Sequence, residues 1–285
     1  MLSVEKGRST SRGSCEAVCQ CFGLHRDAYY KYKKRHAKQQ HRELQVIELV
    51  KQERLVQPRV GTRKLLMALH ITFGVMGLKV GRDELFRILR KYNLLVTRKK
   101  SYCKTTDSYH RFHKYNNLIK DLEVTRCNQV WVSDITYIRT YNGFCYLALI
   151  TDLYSRKIVG YDISNSLELS GCLRALSRAI KGVGKAEGLI HHSDRGIQYC
   201  SKAYVKKLKK HCIAISMTEE NHCYENAVAE RVNGILKDEF YLDQSFECLS
   251  YAKRAVNNAI KIYNNKRLHL SLGYQTPESV FNEAA

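Results

Sequence analysis

Asp134, Asp194 and Glu230 are the residues whose types and spacing could do chemistry together. Carboxylates are hard oxygen ligands suited to Mg²⁺, which keeps several of its waters and takes one or two carboxylates at a time. Three such groups converging from separate elements can hold two cations about 3.5–4 Å apart, the arrangement that supports in-line phosphoryl transfer. Thirty-five residues lie between Asp194 and Glu230, so each acid must be delivered by its own element.

Those elements can be read from the period of the apolar residues. Val130 to Ile138 is β-rich, Asn142-Gly143 is a strong hairpin signal, and Phe144 to Ile150 follows as a second strand. Lys157 to Ile163 supplies a third strand. Glu168 to Lys181 is an amphipathic helix, Leu189 to His192 a short buried strand ending at Ser193-Asp194, and Lys202 to His211 another helix. Ala214 to Met217 makes a fifth strand and Asn226 to Leu242 a long helix. On that helix Asn226, Glu230, Asn233 and Lys237 recur at i, i+4, i+7 and i+11 as one polar stripe, with Val228, Val232, Ile235 and Leu236 on the other side. Three meandering strands followed by α-β-α-β-α predict a mixed sheet covered by helices.

Other polar residues compete for attention. If Asn142-Gly143 centres a two-residue hairpin, position 133 faces Asp152 and brings that carboxylate near Asp134. A structural role with Arg156 is the favoured reading. His191 and His192 suit hydrogen bonding better than metal ligation, and Lys206, Lys207, Lys209 and Lys210 read as a solvated helix face. The eleven cysteines are odd in number and contain no Cys-x-x-Cys pair, so reduced thiols are expected; Cys15, Cys19, Cys21 and His25 match no common zinc spacing.

Charge divides the chain. Lys and Arg number 48 against 27 Asp and Glu, a net +21 that implies a polyanionic partner. Residues 1–100 hold net +15 and the remainder net +6, so a binding part precedes a working part. With 44% apolar residues and two prolines, Pro58 and Pro277, the composition is that of an ordered protein. Nothing approaches the 18 apolar residues of a membrane span, and the first residues lack a secretory signal, so a cytoplasmic protein is expected. Residues 16–34 resemble the end of a helix-turn-helix. Arg42 to Arg54, Thr62 to His70 and Gly81 to Tyr92 then form a trihelical pattern, whose last helix leaves Arg82, Arg87, Arg90 and Lys91 available to phosphate. The expected organisation is a partial helix-turn-helix over 1–40, a trihelical DNA-binding domain over 41–100, a linker over 101–125, a catalytic core over 126–245 and a helical extension over 246–285.

Four segments carry a family resemblance: Trp131-Val132-Ser133-Asp134-Ile135-Thr136-Tyr137, His192-Ser193-Asp194-Arg195-Gly196-Ile197-Gln198-Tyr199, Asn226-Ala227-Val228-Ala229-Glu230 through Lys237, and Tyr263 through Pro277. In order and with the 35-residue interval, they resemble the DDE transposases and integrases, and among them the second-frame product of the insertion-sequence-three family. One departure is Glu225, where the family more often shows Asp. The resemblance implies a ribonuclease-H-like catalytic core and Asp134, Asp194 and Glu230 as catalytic metal ligands for Mg²⁺, with Mn²⁺ as the alternative ion. It implies cleavage at inverted-repeat ends, joining of one end to another and a circular intermediate before insertion. The implied partners are double-stranded DNA at element ends and target, a first-frame protein or fusion, and further copies of the chain on DNA, with the protein held to the nucleoid through DNA. Lys237, Asn226, Asn233 and Arg195 are expected to join Arg82, Arg87, Arg90 and Lys91 as DNA contacts. The alternatives are a ribonuclease-H-like nuclease that hydrolyses without joining, and a catalytically inactive DNA-binding regulator.

Overall fold

The computed structural model describes residues 15–97, 112–183, 187–219 and 226–284. Residues 101–111 of the expected linker therefore lie outside the described residues, as does Glu225. The chain divides into two compact units, Met1–Glu53 with Leu69–Leu95, and Arg54–Ala68 with Val96–Ala285. No helix among the described residues is long and apolar enough to cross a membrane.

The first unit is helical. Helix α1 (Cys15–Cys21) ends at Gly23, whose φ of +64° suits a residue without Cβ. Helix α2 (Arg26–Val56) then runs for 31 residues, merging two segments that the sequence pattern separates. The merger has a simple cause: neither Gly nor Pro interrupts Arg26–Val56, and Pro58 is the first residue that cannot continue a helix. Helix α3 (Thr62–Val75), whose residues up to Ala68 belong to the second unit, and α4 (Arg82–Lys91) follow. Leu85, Ile88 and Leu89 of α4 are buried, and so is Glu43 of α2. Glu43 accepts hydrogen bonds from Arg87 at 2.9 Å and from Lys91 at 2.6 Å. Burial pushes this carboxyl up, but the Lys91, Arg87 and Gln39 hydrogen bonds outweigh it and hold the pKa at about 2.

The second unit is built on a five-stranded sheet of order β3-β2-β1-β4-β5. Strands β1 (Val130–Thr140), β2 (Gly143–Asp152) and β3 (Ile158–Ser164) form an antiparallel meander, while β4 (Ile190–Ser193) and β5 (Ala214–Met217) run parallel to β1. Between the strands lie α5 (Leu169–Val183), α6 (Ile197–Cys200) and α7 (Lys202–Lys210); α8 (Ala227–Glu239), α9 (Leu249–Asn265) and α10 (Pro277–Glu283) close the chain. This is the mixed, helix-covered sheet anticipated from the pattern.

Helices cover both faces. Trp131, Ala148 and Ile150 point to the side where Ala175, Leu176 and Ala179 of α5 pack; Ile138, Leu147 and Leu149 point to Val232, Ile235 and Leu236 of α8 and Val256 and Ile260 of α9. At Gly160 the first of these layers is so close that an added Cβ would stand 2.4 Å from the Ala175 carbonyl.

The hairpin register differs from expectation by two residues. Asp152 lies opposite Trp131, and Ser133 lies opposite Ile150. Thr140 pairs with Gly143, so Tyr141 and Asn142 make the turn, and Gly143 takes the positive φ (+120°) at its end. Asp152 is thereby drawn away from the centre of β1. Fully buried, it accepts from the Asn128 and Ser155 amides at 2.8 Å each and from the Ser155 hydroxyl at 2.6 Å, closing the β2–β3 connection.

Candidate active site

Side chains alternate across a strand, so Asp134, four residues before Ile138, points to the face that α8 covers. Its Oδ1 accepts from the Ile135 amide at 2.8 Å and its Oδ2 from the Asn233 side-chain nitrogen at 2.7 Å. Asp194 stands just beyond β4, the parallel neighbour of β1, and its Oδ1 accepts from the Gly196 amide at 3.1 Å. Glu230 is exposed in the first turn of α8. Three elements thus deliver three carboxylates within electrostatic reach of one another.

Electrostatics shows that these groups sense one another. Burial first, then the negative charge of Asp194, raises the Asp134 carboxyl to about 7; Asn233 and the Ile135 amide oppose this, and Glu230 adds to it. Burial and Asp194 also raise Glu230. Like charges gathered in a poorly solvated place suppress each other's ionisation, and a cation between them reverses that cost. Among the described residues no three Asp, Glu, His or Cys side chains already surround one point as ligands of an ion. The donor chemistry nevertheless fits a hard cation: oxygen ligands, mutually repelling, with no thiolate or imidazole at their tips.

The polar stripe of α8 has two uses. Asn226 and Asn233, expected to reach DNA, are both buried and aim their side-chain nitrogens at β1, Asn226 at the Ser133 carbonyl (3.1 Å) and Asn233 at Asp134. Their side-chain oxygens are buried without a hydrogen-bond partner among the described residues. Glu230 and half-buried Lys237 face outward on the same helix, and Arg195 is half-buried in the turn after Asp194. Arg82, Arg87, Arg90 and Lys91 belong to the helical unit and are exposed there, Arg82 beside Asp83 and Arg87 and Lys91 engaged by Glu43.

Support beneath the site comes from residues that sequence spacing does not connect. Ser133 Oγ lies 2.7 Å from His191 Nε2, and Tyr204 OH lies 3.0 Å from that same nitrogen. Burial, then His192, lowers the His191 pKa to about 3, so it is a neutral strut between β1, β4 and α7. His192 Nδ1 lies 2.8 Å from Ser216 Oγ on β5. The Tyr263 to Pro277 segment also turns inward: Asn264 brackets Ile158 by accepting from its amide and donating to its carbonyl, each at 3.0 Å. A short strand covered on both faces accounts for the burial of these adjacent histidines; their partners lie too far along the chain for any periodicity to reveal.

Comparison with known proteins finds relatives over most of the chain. Residues 124–223 match the family model described as Integrase core domain, and residues 211–277 match a second model of the same description. The chain is 34% identical over 266 residues to the insertion element IS600 uncharacterized 31 kDa protein of Shigella sonnei, covering 91% of this chain and 96% of that one. It is 32% identical to the transposase for insertion sequence element IS629 of the same organism, over 70% of this chain and 68% of the relative. Transposase InsF for insertion sequence IS3A of Escherichia coli (strain K12) is also 32% identical, over 68% of each. Among solved structures, the HTLV-2 integrase catalytic core domain in complex with magnesium aligns at TM-score 0.44 and 19% identity, over 54% of this chain and 96% of that one.

Proposed function

This chain belongs to the DDE transposases of the insertion-sequence-three family, and on that premise we propose that Asp134, Asp194 and Glu230 are the metal-holding catalytic residues of Mg²⁺-dependent cleavage and strand transfer at the element's ends. As a family member the protein is a polynucleotidyl transferase that acts in transposition. The observation that carries the assignment is the electrostatic coupling of three carboxylates from β1, the end of β4 and α8.

Asp134, Asp194 and Glu230 would hold Mg²⁺, or Mn²⁺ in its place. The ions, when bound, activate the attacking oxygen and stabilise the leaving one on an in-line path. What the chain itself contributes is order. The Ile135 amide and Asn233 fix both oxygens of Asp134, and the Gly196 amide fixes one of Asp194. Two carboxylates are thus oriented before any ligand arrives, which lowers the reorganisation that catalysis needs. In this reading Lys237, two turns after Glu230, is the cation that meets a phosphate near the reacting one.

We further propose that the basic helical unit grips inverted-repeat DNA through phosphate contacts, that at least two copies bring two ends together on nucleoid DNA in the cytoplasm, and that a first-frame protein or fusion assists that pairing. Incubating the protein with labelled end DNA and Mg²⁺ tests the whole reading. Joined products are the expected result. Hydrolysed products alone would make the chain a ribonuclease-H-like nuclease, and retention without reaction would make it a regulator.

A further inference from the structure

Asp134 and Asp194 are each oriented by hydrogen bonds, whereas the Glu230 carboxylate accepts none among the described residues. Its position is therefore set by the helix that carries it. Helix α8 is tied to β1 at its N-cap and its midpoint, where Asn226 and Asn233 reach it, which leaves its C-terminal half to be fixed by other contacts. Glu239, its last residue, lies nine positions after Glu230, about 13 Å along the axis and roughly half a turn around it. There the helix meets a partly buried ionic cluster.

Arg267, 3% exposed, spans Glu239 with a two-pronged contact, Nε to Oε2 at 2.8 Å and Nη2 to Oε1 at 2.7 Å. Its Nη1 donates to His269 Nε2 at 2.9 Å. Lys64 of α3 donates to both Glu239 oxygens, at 3.1 and 3.4 Å. Arg59 adds an ion pair to Asp238 at 2.5 Å and a backbone amide bond to the Glu239 carbonyl. Arg59 and Lys64 fall in Arg54–Ala68, which clusters with the sheet and not with the helices on either side of it in sequence.

We propose that Glu239, locked between Arg267 and Lys64, is the positioning residue that fixes the roll and height of α8 and so sets where Glu230 stands. A guanidinium fork on a carboxylate constrains direction as well as distance, which apolar packing along Val232, Ile235 and Leu236 does not. Stability is a poor explanation for the cluster, because buried ion pairs recover little beyond their desolvation. Lys64 is consistent with that cost: burial, then Arg267, brings its ammonium down to about 8 despite Glu239. The inference rests on the reading of Glu230 as catalytic.

The test compares the full chain with Glu239→Gln and with a triple variant, Lys64→Met, Glu239→Met and Arg267→Met, which restores apolar packing without directional bonds. Amide hydrogen exchange over residues 231–234 should quicken at least tenfold in both variants while β1 and β2 amides keep their rates. End cleavage should fall at least tenfold in both with DNA affinity close to the parent's; Glu239→Gln, which leaves Arg267 and Lys64 undercompensated, should also melt lower, whereas the triple variant should melt close to the parent. Unchanged exchange at 231–234, equal loosening of β1 and α8, or undiminished cleavage would overturn the proposal. A parent chain inert towards end DNA would instead refute the catalytic reading of Glu230, and the exchange experiment would still judge the lock.

Discussion

Asn233 donates its side-chain amide to Asp134 Oδ2 at 2.7 Å, so the helix that carries Glu230 also orients the carboxylate at the centre of the sheet. A side chain at that position has two separable uses, to hold Asp134 or to touch DNA. Asn233→Leu distinguishes them. Groups that orient metal-binding residues typically change metal affinity or activity by about 10–100-fold when removed. The expected outcome is a loss of end cleavage of that order, a higher Mg²⁺ requirement and unaltered DNA affinity. A fall in affinity with an unchanged Mg²⁺ requirement would assign Asn233 to DNA.

The four buried or clustered carboxylates should divide into three and one. Asp134→Asn, Asp194→Asn and Glu230→Gln should each lower end cleavage by roughly three orders of magnitude, the scale of losing a transition-state charge stabiliser, while gel-shift affinity for end DNA persists. Asp152→Asn should behave otherwise. It disturbs a carboxylate that accepts three hydrogen bonds at the β2–β3 connection, so the melting temperature falls while the folded fraction still cleaves.

The raised Asp134 carboxyl makes a statement about stability. Its ordinary value is 3.8 and its folded value about 7, so between these the folded chain binds the proton more tightly than the unfolded one. Stability from this group is fully present below about 4 and is lost as pH rises towards 7. In metal-free buffer, Asp134→Asn should therefore melt higher than the parent at pH 8, and the gap should close near pH 4. Adding Mg²⁺ at pH 8 should raise the parent's melting temperature more than the variant's, because the ion relieves a repulsion that the variant lacks. Calorimetry across pH checks both, and a variant less stable than the parent at pH 8 would contradict the electrostatic account.

How far these relationships could be read beforehand depends on their range along the chain. Asp134 lies within a strand, Asp194 just after one and Glu230 in the first turn of a helix, all elements that periodicity marks, and every strand of the sheet is legible from alternation or from a short β-branched run. The hairpin register was not legible, since Asn142-Gly143 fits either the centre of a turn or its exit, and a shift of two residues preserves the face of every side chain. Asn226 and Asn233 fell on a polar stripe, and a stripe cannot say whether it faces solvent or a buried carboxylate. The Glu239, Arg267 and Lys64 cluster joins residues from α8, the segment after α9 and α3, a range over which spacing holds no information.

The last prediction concerns the basic helix α4, whose four cations have different obligations. Lys91 and Arg87 are committed to Glu43, which is 1% exposed and held ionised down to a pKa of about 2, so either can meet a phosphate only by leaving a buried carboxylate undercompensated. Arg90 is exposed, and Arg82 is engaged by the exposed Asp83 beside it, a contact that solvent screens. Each phosphate neutralised contributes about −0.9 to the slope of log affinity against log salt. Arg90→Ala and Arg82→Ala should accordingly flatten that slope by up to about one unit each while leaving the melting temperature unchanged. Arg87→Ala and Lys91→Ala should lower the melting temperature and flatten the slope less. Glu43→Gln should cost about 1–3 kcal/mol of folding stability through the hydrogen bonds it weakens, yet release two cations and steepen the salt dependence. Duplex-binding titrations between 50 and ~200 mM salt, run beside thermal melts, measure both quantities. Equal slope changes for Arg87, Lys91 and Arg90 would show that Glu43 does not restrain its partners.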